Sequence, residues 1–468
     1  MNTIKGKILF LFAVACCFYA DAQELVTYPA PKAVIYSMHN DDYTVRVRKP
    51  GGEWQDLFEY NVKVDLDNVK DASMVYFDCS GTVEVSVRKN NMNVQSVKVR
   101  PLSYGIKPVV NGNTITFSIS QPRKISVEFN GDTRSNLHVF ANPIETNKPD
   151  SADPNVVYFG PGVHTADSVT KTYKIASGKT VYIAGGAIVR GAFLCDKVKQ
   201  VKIIGRGIID QAPEGVLIKY SDYVELDGII VVNPKHYSVT GGESKHLTIR
   251  NLKSFSSRGW GDGIDLFCCE DVVIDDVFMR NSDDCIAIYG HRWDYYGNVR
   301  NCAITNSTLW ADIAHPINIG LHGNTNAAGD TIEHILFKNI DILEQDEDDP
   351  DYEGCMAISN GDLNLVRNIR FEDIRVEDFE EGQLLNLRVV FNKKYNTGPG
   401  RGIENILFKN ISYNGSNSSL SVIHGLDKDH RIKGVTFENL RINGKLVMDA
   451  DSGRIKVGGF VEGLTFKK

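Results

Sequence analysis

Ile335-Leu336-Phe337-Lys338-Asn339, Ile369-Arg370-Phe371-Glu372-Asp373, Ile406-Leu407-Phe408-Lys409-Asn410 and Val435-Thr436-Phe437-Glu438-Asn439 are copies of one pattern. Each reads apolar-x-apolar-x-(Asn or Asp), with a further apolar position after it. Toward the N-terminus the pattern recurs at Ala303–Asn306, Val273–Asp276, Leu247–Asn251 and Val224–Gly228. Its central position falls at 226, 249, 274, 304, 337, 371, 408 and 437, giving spacings of 23, 25, 30, 33, 34, 37 and 29. One short strand in every roughly 20 to 40 residues marks a solenoid, because a lone strand buries its apolar face only by stacking on its neighbours. The Asn or Asp suits a tight turn, since a short polar side chain tolerates the left-handed conformation, and stacked copies would form a polar ladder. The LxxLxLxxN pattern of leucine-rich repeats is absent, and no helix-period stretch separates the strands. The expected fold is therefore all-β: a right-handed parallel β-helix. Its longer middle periods predict loops growing from one edge, where binding grooves are built.

Residues from about 24 to 145 lack this repeat. Tyr43–Arg48, Thr82–Val87 and Thr114–Ile119 alternate apolar and polar residues between turns at Gly51-Gly52, Asn90-Asn91 and Asn111-Gly112-Asn113. Short half-buried strands at this spacing predict an antiparallel β-sandwich. Asn147 to Asn155, with two prolines and two aspartates, reads as the junction. The expected division is a sandwich over 23–150 and a β-helix over 151–468. Residues 1–22 read as a secretory signal: Lys5 and Lys7, an apolar run from Ile8 to Ala20, then Ala20-Asp21-Ala22. That run is shorter than the roughly 20 residues a bilayer needs. Export to the periplasm or exterior follows, with lipidation at Cys16 as a less favoured route, and no later segment reads as transmembrane. Seven cysteines then remain, none at metal-finger spacing; most lie in apolar runs, so buried thiols are expected, with one disulfide left as the alternative. A net charge of −7 argues against nucleic acid as the main partner.

The chemistry is concentrated in Trp260-Gly261-Asp262-Gly263-Ile264-Asp265 and Asn281-Ser282-Asp283-Asp284-Cys285-Ile286-Ala287-Ile288. Asp262 and Asp283 are 21 residues apart, close to one coil. On a β-helix that spacing stacks them on adjacent strands, roughly 4.8 Å apart along the axis. Three crowded carboxylates repel, which raises the proton affinity of at least one and leaves another ionised. Glycoside hydrolysis needs that division: one carboxyl protonates the leaving oxygen and another activates water. The same acids would also serve as turn residues or as a calcium site.

Gly-Asp-Gly-Ile-Asp followed by Ser-Asp-Asp-Cys-Ile-Ala-Ile resembles the signature of glycoside hydrolase family 28, the polygalacturonase family, over roughly residues 155–460. The resemblance implies an inverting hydrolase without a required metal or cofactor, with Asp283 as general acid and Asp262 and Asp284 as the water-activating pair. Ala314-His315-Pro316-Ile317-Asn318-Ile319-Gly320 stands where the family has its Gly-His-Gly and Ile-Gly turn, so His315 would hold the acid's neighbour or contact the sugar. Trp260-Gly261 replaces the family's Asn-Thr. Its Arg-x-Lys uronate clamp is replaced by Cys355-Met356-Ala357-Ile358-Ser359, and Arg388 lies too far along to substitute.

A sandwich joined to a β-helix through Phe140–Glu145, Val157–His164 and Val181–Ala187 is similar to glycoside hydrolase family 49, the dextranases and isopullulanases, whose glucan substrates are neutral. Asp265, Asn318, His291, Arg292 and Trp260 join His315 as candidate sugar contacts, with Tyr289, Trp293, Tyr295, Tyr296 and His322 as further groove residues. The expected partner is a poly- or oligosaccharide. A polysaccharide lyase and a non-catalytic glycan-binding β-helix are the alternatives.

Overall fold

The computed structural model describes residues 23–32 and 36–468. The segment 1–22, on which the expectation of export rests, lies outside the described residues. Strands up to Leu137–Pro143 form a six-stranded and a five-stranded sheet packed face to face. Tyr43–Arg48, Val83–Lys89 and Thr114–Ile119 are antiparallel neighbours in the five-stranded sheet. Their alternation puts Val45, Val47, Val85, Val87, Ile115 and Phe117 inward, against Val75, Phe77, Val127 and Val139 of the other sheet. The sandwich is not antiparallel throughout: Leu137–Pro143 runs parallel to Lys70–Ser80. Between these two strands the chain passes through the opposite sheet, and so long a connection lets it return in the same direction.

From Val156 onward the strands stack as a right-handed parallel β-helix. Each central position read from the sequence pairs with the next: Leu226 with Ile249, Ile249 with Ile274, Ile274 with Ile304, Ile304 with Phe337, and so on through Phe371, Phe408 and Phe437. The column also extends to Val157, Val181 and Ile203 at one end and Phe466 at the other. The two earliest coils escape the pattern because Phe159 and Ile183 stand where later coils have Asn, Asp or Gly. The ring centroids of Phe337, Phe371, Phe408, Phe437 and Phe466 stack 4.9–5.3 Å apart down the core. At the turn, Asn251, Asp276, Asn306, Asn339, Asp373, Asn410 and Asn439 all have φ between 48° and 56°. The polar ladder forms there, with Asn339 donating to Asn306, Asn410 to Asp373 and Asn439 to Asn410.

The sandwich docks on an outer face of the helix. Phe255 and Phe278 point out of their strands into Tyr60, Met74, Tyr76 and Phe140, while Met279, one residue on, points into the helix core. All seven cysteines among the described residues are buried free thiols. No helix among the described residues is long and apolar enough to cross a membrane.

Candidate active site

Stacking of coils brings the three aspartates together. The Gly263 N–H donates to the Asp284 carbonyl at 2.9 Å, and the Cys285 N–H donates to the His315 carbonyl at 2.8 Å, so three successive coils meet here. Gly263 is required for that approach, because a Cβ there would lie 2.3 Å from the Cys285 carbonyl oxygen. The strand Phe278–Ser282 leads into Asp283, and a register shift at Asn281/Ser282 re-aims the chain as it leaves the sheet. One carboxylate oxygen from each of Asp262, Asp283 and Asp284 lies within 4.8 Å of the others.

The environments of the three differ. Asp283 accepts the backbone N–H of Trp260 at 2.9 Å and of Asp284 at 3.1 Å. Burial and the charge of Asp284 outweigh those bonds and push Asp283 up to about 7. Burial also works to raise Asp284, but the neighbouring His315 charge and three hydrogen bonds reverse it and hold Asp284 below the ordinary carboxylate range. Those bonds come from His315 Nδ1 at 2.7 Å, Asn318 Nδ2 at 2.8 Å and the Tyr289 hydroxyl at 2.8 Å. His315 is in turn held above its usual value, its desolvation overcome by Asp284. Trp260, the donor to Asp283, has φ 55°, a conformation that costs a bulky residue about 1–3 kcal/mol.

Asp265 lies beside Asp262, fully buried, and its oxygens meet no donor other than the Asp262 carboxyl. Burial and the surrounding carboxylates push both Asp262 and Asp265 well up, and the two contact each other as hydrogen-bonding carboxyls. A carboxyl pair without other donors retains a proton between its members.

Of its two expected roles, His315 takes the first and holds Asp284, the neighbour of Asp283. His315, Asp265 and Asn318 are all 0% exposed, so none of the three stands on the open surface of the site. Asn318 is covered because its Nδ2 also donates to the hydroxyls of Tyr289 and Tyr352, and His315 Nε2 meets the Tyr352 carbonyl. His291 is likewise turned away: its Nδ1 meets the Tyr295 carbonyl, its ring stacks on Tyr296, and it does not line the cavity. Trp260 and Arg292 do line it, Trp260 being 66% exposed.

The cavity over the aspartates has a volume of about 460 Å³. Tyr237, Glu347, Tyr352, Lys394 and Tyr395, none singled out from the sequence, complete its walls. All but Tyr237 come from loops of the longest coils, the one signal that pointed to them. Tyr395 stacks on Tyr352, centroids 5.0 Å apart. The Arg292 guanidinium donates to His322 Nε2 at 3.0 Å, and burial pushes His322 down to about 3, so that ring is a neutral acceptor. The three aspartate oxygens are also close enough together to ligate one cation.

A model of the family described as glycosyl hydrolases family 28 matches residues 162–454. A dextranase from Arthrobacter sp. (strain CB-8) is 24% identical over 316 residues, which cover 57% of this chain and 47% of that enzyme. The chain thus spans about half the length of the curated dextranases it matches. An isopullulanase from Aspergillus niger is 23% identical over 472 residues, covering 82% of this chain and 77% of that one. Among solved structures, Dex49A from Penicillium minioluteum superimposes with a TM-score of 0.68 at 14% identity, covering 95% of this chain and 98% of its own. That likeness shows a shared fold.

Proposed function

The chain belongs to glycosyl hydrolases family 28, and from that premise we propose that it is an exported, inverting glycoside hydrolase acting on a neutral poly- or oligosaccharide. The β-helix over 151–468 is the catalytic domain in this reading, and 23–150 is the sandwich beside it. The observation that carries it is a pair of adjacent aspartates on one cavity, Asp283 holding its proton up to about 7 and Asp284 held ionised. Asp283 is the general acid for the leaving oxygen; Asp284, with Asp262, takes the proton from the attacking water. Asp265 is the more deeply buried of its pair, so it keeps the shared proton and donates it to an ionised Asp262.

The spacing supports a water between carboxylates. A water hydrogen-bonded to two oxygens at about 2.8 Å and a tetrahedral angle holds them about 4.6 Å apart, and the aspartate oxygens lie within 4.8 Å. This is tighter than the roughly 6.5–9.5 Å usual between carboxyl groups of inverting enzymes, so stereochemistry is the decisive test.

Charge supports a neutral substrate. Asp262, Asp283, Asp284 and Glu347 line the cavity against two cations, Arg292 and Lys394. Arg388 is already committed, to Asp351 at 2.6 Å and the Pro350 carbonyl at 3.0 Å. The strand Met356–Asn360, near where a uronate clamp would stand, offers no cation. The dextranase and isopullulanase relatives point the same way, to dextran- or pullulan-like glucans. A second reading, a uronate substrate, is favoured by Arg292 and Lys394, since neither lies within ion-pair distance of a carboxylate among the described residues.

The test is digestion of dextran, pullulan and pectic fragments, with Asp283→Asn as control and NMR of the first anomer released. Inverted product from a neutral glucan supports the proposal. Retained configuration removes the water-between-carboxylates mechanism, and unsaturated ultraviolet-absorbing products would mean a lyase.

A further inference from the structure

Two strands end in the carboxylate site, Phe278–Ser282 before Asp283 and Thr308–Ile313 before Ala314-His315, and they pair with each other. Strand alternation turns Arg280 and Asp312 outward, away from the helix core and into the sandwich. There Arg280 is 0% and Asp312 7% exposed. Arg280 Nε and Nη2 grip Asp312 at 2.9–3.1 Å. The remaining donors go to the sandwich: Nη1 to Asn136 Oδ1 at 2.8 Å and His138 Nε2 at 3.2 Å, Nη2 to the Thr133 carbonyl at 2.9 Å. Asp312 also accepts the backbone N–H of Asp65 at 3.1 Å, and the guanidinium lies 4.0 Å from the Trp310 ring centroid.

We propose that the sandwich is a positioning element of the active site: through Asp65, Thr133 and Asn136 it clamps the Arg280–Asp312 pair and so sets the spacing of Asp283, Asp284 and His315. Desolvating an ion pair for docking alone brings little net stability. A forked guanidinium with fixed partners, by contrast, specifies geometry. Arg280 lies three residues before Asp283, and Asp312 three before His315, too short a run of chain to absorb a shift of either strand. The inference rests on Asp283 and Asp284 being the acid and base proposed above.

The structure contains its own control. Arg206 and Asp78 form another buried pair between helix and sandwich, at 3.0 Å, two coils before the one that carries Asp262. The experiment compares N136A, N136D, R280K and D78N in the full chain, reading kcat, KM, the pH profile and Tm. N136A and R280K should lower kcat about 10- to 100-fold, leave KM within about twofold and move a limb of the pH profile. N136D, which keeps the acceptor, should restore N136A. D78N should lower Tm with kcat and pH profile unchanged. N136A removes the bond to Arg280 and one to Ser126 Oγ at 2.8 Å, and leaves the ion pair intact, so it keeps the test open if R280K does not fold. An N136A enzyme with unaltered kcat and pH profile, or a D78N enzyme with the same kcat loss, overturns the inference. An active Asp283→Asn control would instead overturn the mechanism on which it rests.

Discussion

Asp283 and Asp284 are consecutive in the chain yet are shifted in opposite directions, because the turn between the strands Phe278–Ser282 and Ile286–Tyr289 gives them different neighbours. Asp284 turns inward to His315, Asn318 and Tyr289, while Asp283 faces the cavity with two backbone donors. Each ionised carboxylate raises the cost of ionising the next, so the fully bonded member takes the charge and the poorly bonded one keeps the proton. In the proposed mechanism a dipeptide thereby supplies an acid and a base to one bond.

The acid must be protonated and Asp283 is pushed up to about 7, so kcat should fall as pH rises through about 7. Asp283→Asn should lower kcat by about 100- to 10,000-fold. A pH series of initial rates checks both, and an alkaline limb that survives in the variant would assign it to another group.

His315→Gln removes the charge that holds Asp284 down, so the acid limb of the kcat profile should move to higher pH, with kcat about tenfold lower. Asp284 is depressed in the folded state. Its contribution to stability is therefore present above an unfolded value of about 3.9 and is lost as pH falls through the folded one. Acid unfolding of the variant should begin at higher pH, as circular dichroism would show.

The coil register was legible because burial enforces it: a slip of one residue would turn Ile304, Phe337 and Phe371 out of the core. The carboxylate meeting was legible because one coil of spacing stacks residues wherever the chain turns. Which side of that stack a side chain occupies was not. Asn318 sits on the outward face of its strand, yet Tyr289 and Tyr352 from other coils roof it over. Glu347, Lys394 and Tyr395 arrive on insertions that carry no period, so the lengthened coils told where walls would rise but not what would line them.

Cation binding to the three aspartates requires Asp283 to lose its proton, and the proposed catalysis requires it to keep it. Chelators should therefore leave the rate unchanged, and millimolar Ca²⁺ should inhibit, more at pH 8 than at pH 5. Loss of activity in EDTA, restored by metal, would reverse the assignment of these residues.

Asp265 supplies the last prediction, which separates stability from activity. It is fully buried beside Asp262 without any other donor, and burial together with nearby carboxylates pushes it well up. An acid whose folded pKa is raised costs stability above its unfolded value, about 3.9, and costs none below it. Asp265→Asn removes that cost and retains an N–H to donate to Asp262. The variant should gain about 1 kcal/mol of stability at pH 7 and none at pH 3, measured by denaturant unfolding at both values. Its permanent donor also prevents Asp262 from sharing a proton, which weakens Asp262 as a base, so kcat should fall about tenfold. A variant destabilised at pH 7 would show that Asp265 is ionised in the folded protein, and the proton assigned to this pair would have to be placed elsewhere.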